Sequence, residues 1–439
     1  MREMKDSGVE WIGKIPASWN YHPLYYYFDE RKNRNFDLRE RNLLSLSYGN
    51  IIKKDINTTG GLLPASFNTY NIVKNLDIII RPTDLQNDKK SLRTGLVKEK
   101  IGIITSAYIA LKPREGVFSN YFHYLLHSYD IMKVFYNMGN GVRQGLNYSE
   151  FSKLILVAPS LEEQHKIADF LDQKCSEIDA LTADIQTQIE TLEEYKKSVI
   201  IEAVTKGLDP NIEMKDSGVE WIGMIPSTWK NKTLRHLLID RVGGAWGNEP
   251  ANENEGTVCL RIADFDFDKG LFKECALDEL TYRTYTRKQI KKLALREGDI
   301  LIEKSGGGEK TPVGRAVYYD GSYGAVLYAN FMERLRFKSD EINSKFVEYW
   351  LRTWYFCRCS PFYINQTIGI QNIDLTLMLA KEQIFFPLLQ DQYKIADFLD
   401  QKCAEIDQTI SEKQQQLETV AEYKKSLIYE YVTGKKEVA

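Results

Sequence analysis

Two histidines four residues apart (His123 and His127), a glycine-rich run from Ser305 to Thr311, and a Cys357-Arg358-Cys359 triplet are where catalysis or metal binding would first be sought in this chain. None has the spacing its chemistry needs. A helical i, i+4 histidine pair binds zinc only with a third ligand at metal spacing, so this one reads as structural. The glycine run departs from Gly-x-x-x-x-Gly-Lys-[Ser/Thr], the spacing that wraps a phosphate, and reads as a flexible loop. The cysteine pair has neither zinc spacing nor a second pair. No Gly-x-Gly-x-x-Gly occurs, and no Asn/Asp-Pro-Pro-aromatic run of the kind amino-methyltransferases use. The expectation is a chain with no catalytic residues and no metal or cofactor of its own.

Residues suited to a polyanion are present instead. Arg283, Arg287, Lys288, Lys291, Lys292 and Arg296 fall within one short stretch, interleaved with Tyr282, Tyr285 and Gln289. Lys89, Lys90 and Arg93 lie on a predicted loop, Arg143-Gln144 follow a predicted turn, and Gln371-Asn372 hold the equivalent place farther on. Arginine, glutamine and asparagine can bond bidentately to purine edges, while lysine meets phosphate. Taken singly, each cluster is also what a solvated surface looks like.

The elements that would position these groups come in two copies. Met4 to Gly13 returns unchanged as Met214 to Gly223, each running on to Ile-Pro and a tryptophan, Trp19 or Trp229. Lys166 to Asp179 reappears 228 residues later as Lys394 to Asp407, with only Ser176 replaced, by Ala404. Between these frames lie two diverged inserts. Asp77 to Pro82 and Ile101 to Thr105 read as buried strands, matched in the second insert by Gly298 to Glu303. Asn120 to Asn137 reads as a helix, mirrored by Ser344 to Arg358. The second insert is 18 residues longer, given the block offsets of 210 and 228.

Each second block opens a long predicted helix that begins after Pro159 or Pro387 and ends near Gly207 or Gly434. Leu171, Ile178, Ile185, Leu192 and Val199 recur every seven residues, with Leu181 and Tyr195 at the intermediate position. In the second helix Leu399, Ile406, Leu417, Val420 and Leu427 form a stripe interrupted at Lys413. A lone helix of that length needs a partner for its stripe. Packing on its own domain is one solution, and antiparallel pairing of the two copies is the preferred one.

The overall charge of −3 conceals a segregation. The first insert (21–158) carries 19 basic and 12 acidic side chains and the second (231–386) 22 and 21. The helical stretches 161–206 and 388–434 carry 5 against 11 and 5 against 9. Polyanion binding therefore belongs to the inserts. No apolar run approaches the ~20 residues of a membrane span, the first residues are too polar for a signal peptide, and the scattered cysteines read as reduced thiols. A cytoplasmic protein without membrane contact is expected.

The two Trp-Ile-Gly-x-Ile-Pro frames, the Gln-x-Lys-Ile-Ala-x-Phe-Leu-Asp helix starts at Gln164 and Gln392, and the Glu-Tyr-Lys-Lys-Ser helix ends at Glu194 and Glu422 are together distinctive. They resemble the specificity (S) subunit of type I restriction–modification systems over essentially the full length. The resemblance implies an α+β chain of two mixed α/β target-recognition domains, joined by two long helices forming an antiparallel coiled coil with pseudo-two-fold symmetry. The boundaries would be 1–158 and 209–386 for the recognition domains, 159–208 and 387–439 for the helices. It further implies that each domain reads one half of a bipartite site in double-stranded DNA and that the helices set the gap. Two methyltransferase (M) subunits would dock on the helical frame and restriction (R) subunits would join them. S-adenosylmethionine, ATP and magnesium would be bound by those partners. A stand-alone DNA-binding regulator or an anti-restriction decoy of the same fold shares the basic inserts and remains an alternative.

Overall fold

The computed structural model describes residues 2–57, 64, 66–83, 85, 92–136, 138, 145–251, 256–273, 276–367 and 369–438. Its helices include α1 (Ser119–Ile131), α2 (Leu161–Lys206), α3 (Arg287–Leu293), α4 (Ser344–Phe356) and α5 (Leu389–Val432). The chain forms two compact units, Met1–Gln186 with Gln415–Ala439 (unit 1) and Thr187–Gln414 (unit 2). Both long helices are therefore shared out between the units and do not stand as separate bodies.

The units are built on one plan. Unit 1 holds a four-stranded antiparallel sheet in the order Phe28–Glu30, Ile109–Pro113, Ile78–Ile80, Thr94–Leu96. Unit 2 repeats that order with Leu238–Gly243, Met332–Phe337, Ile300–Glu303 and Ala316–Tyr318. The central strands, Ile78–Ile80 and Ile300–Glu303, are buried at every position, as continuous apolar runs covered on both faces must be. In unit 2 Ile300, Ile302 and Leu335 face a core shared with α4 and the long helices. Leu301, Val317 and Met332 face a second core that includes Leu293 and Leu295 and carries α3. The repeated frames are hairpins, Met4–Asp6 with Lys14–Pro16 and Met214–Asp216 with Met224–Pro226.

α2 starts where Ser160 Oγ accepts from Glu163 N at 3.3 Å and two glutamates occupy the first turn, an arrangement suited to the positive helix end. α5 ends at Gly434, whose φ is +71°, and a Cβ there would lie 2.5 Å from Pro16. Only glycine allows the chain to leave the helix against the first frame.

The two long helices pack antiparallel. In unit 1 Leu171, Cys175 and Ile178 share a core with Leu427, Ile428 and Val432, and Lys424 Nζ meets Asp179 Oδ1 at 2.5 Å. In unit 2 Ile200, Ala203 and Val204 share a core with Ile395, Leu399 and Cys403, and Lys196 Nζ meets Asp407 at 2.7 Å. The two ion pairs join repeat-equivalent residues, 228 positions apart, with the roles of the two helices exchanged. The same cores contain the recognition inserts, so each helix packs on its domain and on its partner.

The seam between the helices departs from the expected heptad at its intermediate positions. Leu181 and Tyr195 are 48% and 49% exposed and lie outside the seam. The buried series runs Leu171, Cys175, Ile178, Ile185, Ile189, Lys196, with Leu192 half-buried. The buried intermediate positions are therefore Cys175, Ile189 and Lys196, in the three- and four-residue steps of paired helices, while Thr182, next in that series, is exposed. Ile406 and Leu427 are buried in α5, while Leu417 and Val420 are half-buried, as is Lys413.

Candidate nucleic-acid interface

Unit 2 carries a run of exposed cations on and after α3. α3 begins with a capping box in which Thr286 Oγ1 accepts from Gln289 N and Gln289 Oε1 accepts from Thr286 N. Arg287, Lys288, Lys291 and Lys292 on α3, and Arg296 after it, are all exposed. None has a carboxylate within 4.0 Å among the described residues. At i, i+1, i+4 and i+5 the four helical cations form two adjacent rows on one face. Leu293, on the other side, is buried. Arg334 supports the helix end: its guanidinium donates to Lys292 O and Ala294 O at 3.2 Å and pairs with Asp240 at 3.0 Å. The sequence reading missed this residue because its partners are forty and more positions away.

Arg283 is a different kind of group. Its guanidinium stacks 4.3 Å from the Trp246 ring centroid and pairs with Glu249 at 3.4 Å, so it forms a fixed cation–aromatic platform beside α3. Gln371 and Asn372 lie on strand Ile370–Ile373, paired on one side with Ile364–Thr367 and on the other with Ser305–Gly306. Val313 N donates to Gln371 Oε1 at 3.3 Å and Ser305 Oγ donates to Asn372 Oδ1 at 2.7 Å. The first contact orients the Gln371 amide with its NH2 group left as a donor. The structure thus gathers Arg283 with the α3 cations and keeps the Gln371–Asn372 strand as a separate, half-buried polar surface.

In unit 1, Lys89, Lys90, Arg143 and Gln144 lie outside the described residues. Arg93 is described and is not a surface cation. It is fully buried, donating from Nε to Tyr136 Oη at 3.0 Å and from Nη1 to Thr83 O, while its main-chain N meets Asp130. It closes an interior polar cluster and offers nothing to a DNA strand. A residue that the sequence reading passed over is Tyr48, 81% exposed at the tip of the hairpin Leu44–Ser47 and Asn50–Lys53, with φ +45°. The Tyr-Gly pair between short apolar strands was the available signal.

His123 and His127 lie in the interior of α1, where burial lowers their pKa values to about 3 and about 4. At the corresponding places α4 has Glu348 and Arg352, an i, i+4 pair 3.6 Å apart, and burial raises Glu348 to about 7. No group of three or more potential metal ligands occurs among the described residues. No helix among them is long and apolar enough to cross a membrane.

The family described as the type I restriction modification DNA specificity domain matches residues 94–191 and 252–419, more than half of the chain. The type I restriction enzyme MjaVIII specificity subunit of Methanocaldococcus jannaschii is 27% identical over 370 residues, covering 83% of this chain and 81% of that protein. The type I restriction enzyme StySPI specificity subunit of Salmonella potsdam is 25% identical over 287 residues, covering 62% and 58%. A chain solved in work on complex assembly and conformational transition of the type I R-M system superposes with TM-score 0.70 at 14% identity, covering 96% of this chain and 99% of that one. The HsdS subunit from Thermoanaerobacter tengcongensis gives 0.51 at 14% identity, covering 96% and 98%. At such identities the two structures speak for the fold alone.

Proposed function

Because this chain belongs to the type I restriction-modification DNA specificity family, we propose that it selects the DNA site for a type I complex and contributes no reacting group itself. Each recognition insert reads one half of a bipartite site. The α3 cations, with Lys89, Lys90 and Arg143 of the first insert, meet phosphates, and the amides of Gln371, Asn372 and Gln144 meet base edges. The helix pair sets the gap between halves. It also makes the second contact intramolecular, so two modest half-sites become one strong site. The observation that carries this reading is the contrast within the duplication: the frame repeats to the level of one Lys–Asp ion pair, whereas the inserts share a sheet and differ in surface.

The same duplication supports two methyltransferase subunits per chain. Tyr195 and Tyr423 stand 228 positions apart and are both about half exposed on the acidic helices. Exposed tyrosines set on a rigid helix are typical anchors of protein interfaces. Restriction subunits join through that assembly, S-adenosylmethionine, ATP and magnesium belong to the partners, and the complex works in the cytoplasm. The test is to capture the tagged full-length chain from its host and sequence methylated bases in strains with and without it. Co-purification of a methyltransferase and loss of one split motif on deletion are expected. Capture without a methyltransferase, and an unchanged methylome, would favour a stand-alone regulator.

A further inference from the structure

Lys196 and Lys424 hold the same place in the two repeats, yet among the described residues only Lys196 hydrogen-bonds to a recognition insert. Its Nζ lies 2.7 Å from both carboxylate oxygens of Asp407 and donates a third bond, 3.0 Å long, to the main-chain oxygen of Asp268. Asp268 sits in the turn between strands Phe265–Asp266 and Leu271–Phe272. Arg352 of α4 donates to that same oxygen at 2.6 Å and to Lys269 O at 3.4 Å. Gly270, at φ +69°, completes the turn, and a Cβ there would fall 2.1 Å from Glu348 Oε1. The turn is therefore seated on α4 as closely as a bare backbone permits. On its other side Gly270 O accepts from Tyr318 N at 3.0 Å. Phe265 belongs to the core that carries α3, and Phe272 packs against it.

The turn bridges a cleft of about 790 Å³, lined by Glu193 and Lys197 of α2, Asp400 and Gln408 of α5, and Asp266 and Lys269 of the turn itself. It is thus a strut between the α3-bearing lobe and the helices. In unit 1 Asp179 is the one hydrogen-bond partner of Lys424 among the described residues, and the places of Glu348 and Arg352 are taken by His123 and His127. A lysine in a helix seam needs one carboxylate. Lys196 has a carboxylate and a domain carbonyl, with only 8% of its side chain exposed.

We propose that Lys196 is a positioning residue for DNA reading: by holding the Asp266–Gly270 turn to the helices, it fixes the lobe that presents α3. This rests on the reading of the chain as a DNA specificity subunit. The test compares Lys196→Met, Lys424→Met and Lys196→Arg in the full-length chain with its methyltransferase. The probes are a duplex bearing the site mapped in wild-type cells and duplexes with one base pair changed in either half. Lys196→Met lowers discrimination in one half only, by roughly tenfold. Lys196→Arg restores most of it, and Lys424→Met stays within about twofold of wild type in both halves. Hydrogen exchange over residues 265–272 rises in Lys196→Met alone. Equal effects of Lys196→Met and Lys424→Met, a uniform loss in both halves, or unchanged discrimination would overturn the proposal. A wild-type complex that recognises no split site would instead overturn the specificity-subunit reading.

Discussion

Neutralising α3 separates anchoring from reading. The variant Arg287→Gln, Lys288→Gln, Lys291→Gln, Lys292→Gln removes four exposed cations that have no carboxylate partner within 4.0 Å among the described residues. It keeps the Thr286–Gln289 capping box and the buried Leu293, so the helix itself should persist. Each phosphate contact contributes about −0.9 to the slope of log K against log salt, which is about fivefold in affinity at ~0.15 M. Two to four contacts from the two rows then account for a slope change of about 2 to 3.5 and a loss of roughly 30- to 900-fold. Binding isotherms of the full-length chain with a cognate and a scrambled duplex, across a series of KCl concentrations, measure both quantities. The ratio of cognate to scrambled affinity should stay within about threefold, because phosphate contacts carry no sequence information. An unchanged slope with an altered ratio would show that α3 reads bases, and the assignment of roles would be wrong.

Gly434→Ala should destabilise unit 1 by about 1–3 kcal/mol, since a β-carbon meets Pro16 at a positive φ; denaturant unfolding of the variant checks this. The two units should respond to acid with opposite sign. Burial lowers His123 and His127 to about 3 and about 4, so the stability tied to their neutral forms is lost as pH falls below about 6.5 towards 4. Glu348 is raised to about 7, so unit 2 loses stability as pH rises from about 4.5 to about 7, and Glu348→Gln abolishes that slope. Hydrogen exchange resolved by unit at pH 4.5 and 7 reads both. Adding one heptad to α2 between Ile185 and Leu192, with a matching heptad in α5, should change the preferred gap and leave the half-sites alone. Methylation mapping that showed altered half-sites would contradict it.

The duplication was legible because the frames repeat verbatim, and the strand and helix placements followed from apolar runs such as Ile78–Ile80 and Ile300–Glu303. The shared sheet order of the two inserts confirms their kinship despite diverged sequence. The seam was half legible. Leu171, Ile178 and Ile185 gave one set of positions, but the other includes the exposed Thr182 and the buried Lys196, polar side chains that apolar periodicity overlooks. Leu181 and Tyr195 drew attention in their place, although they are free to face solvent or a partner. Arg93 misled for a related reason: a cation next to lysines in sequence resembles surface, and only the fold brings Tyr136 and Thr83 around it. The roles of Arg334 and Lys196 depend on carbonyls 40 and 72 positions away, a separation at which no local pattern exists.

The division of labour between the inserts is tested most directly by exchanging residues 231–386 for the corresponding insert of another family member and sequencing methylated bases in cells that carry the chimera with its methyltransferase. One half of the split motif should change while the other half and the gap persist. A motif altered in both halves, or in neither, would contradict the account.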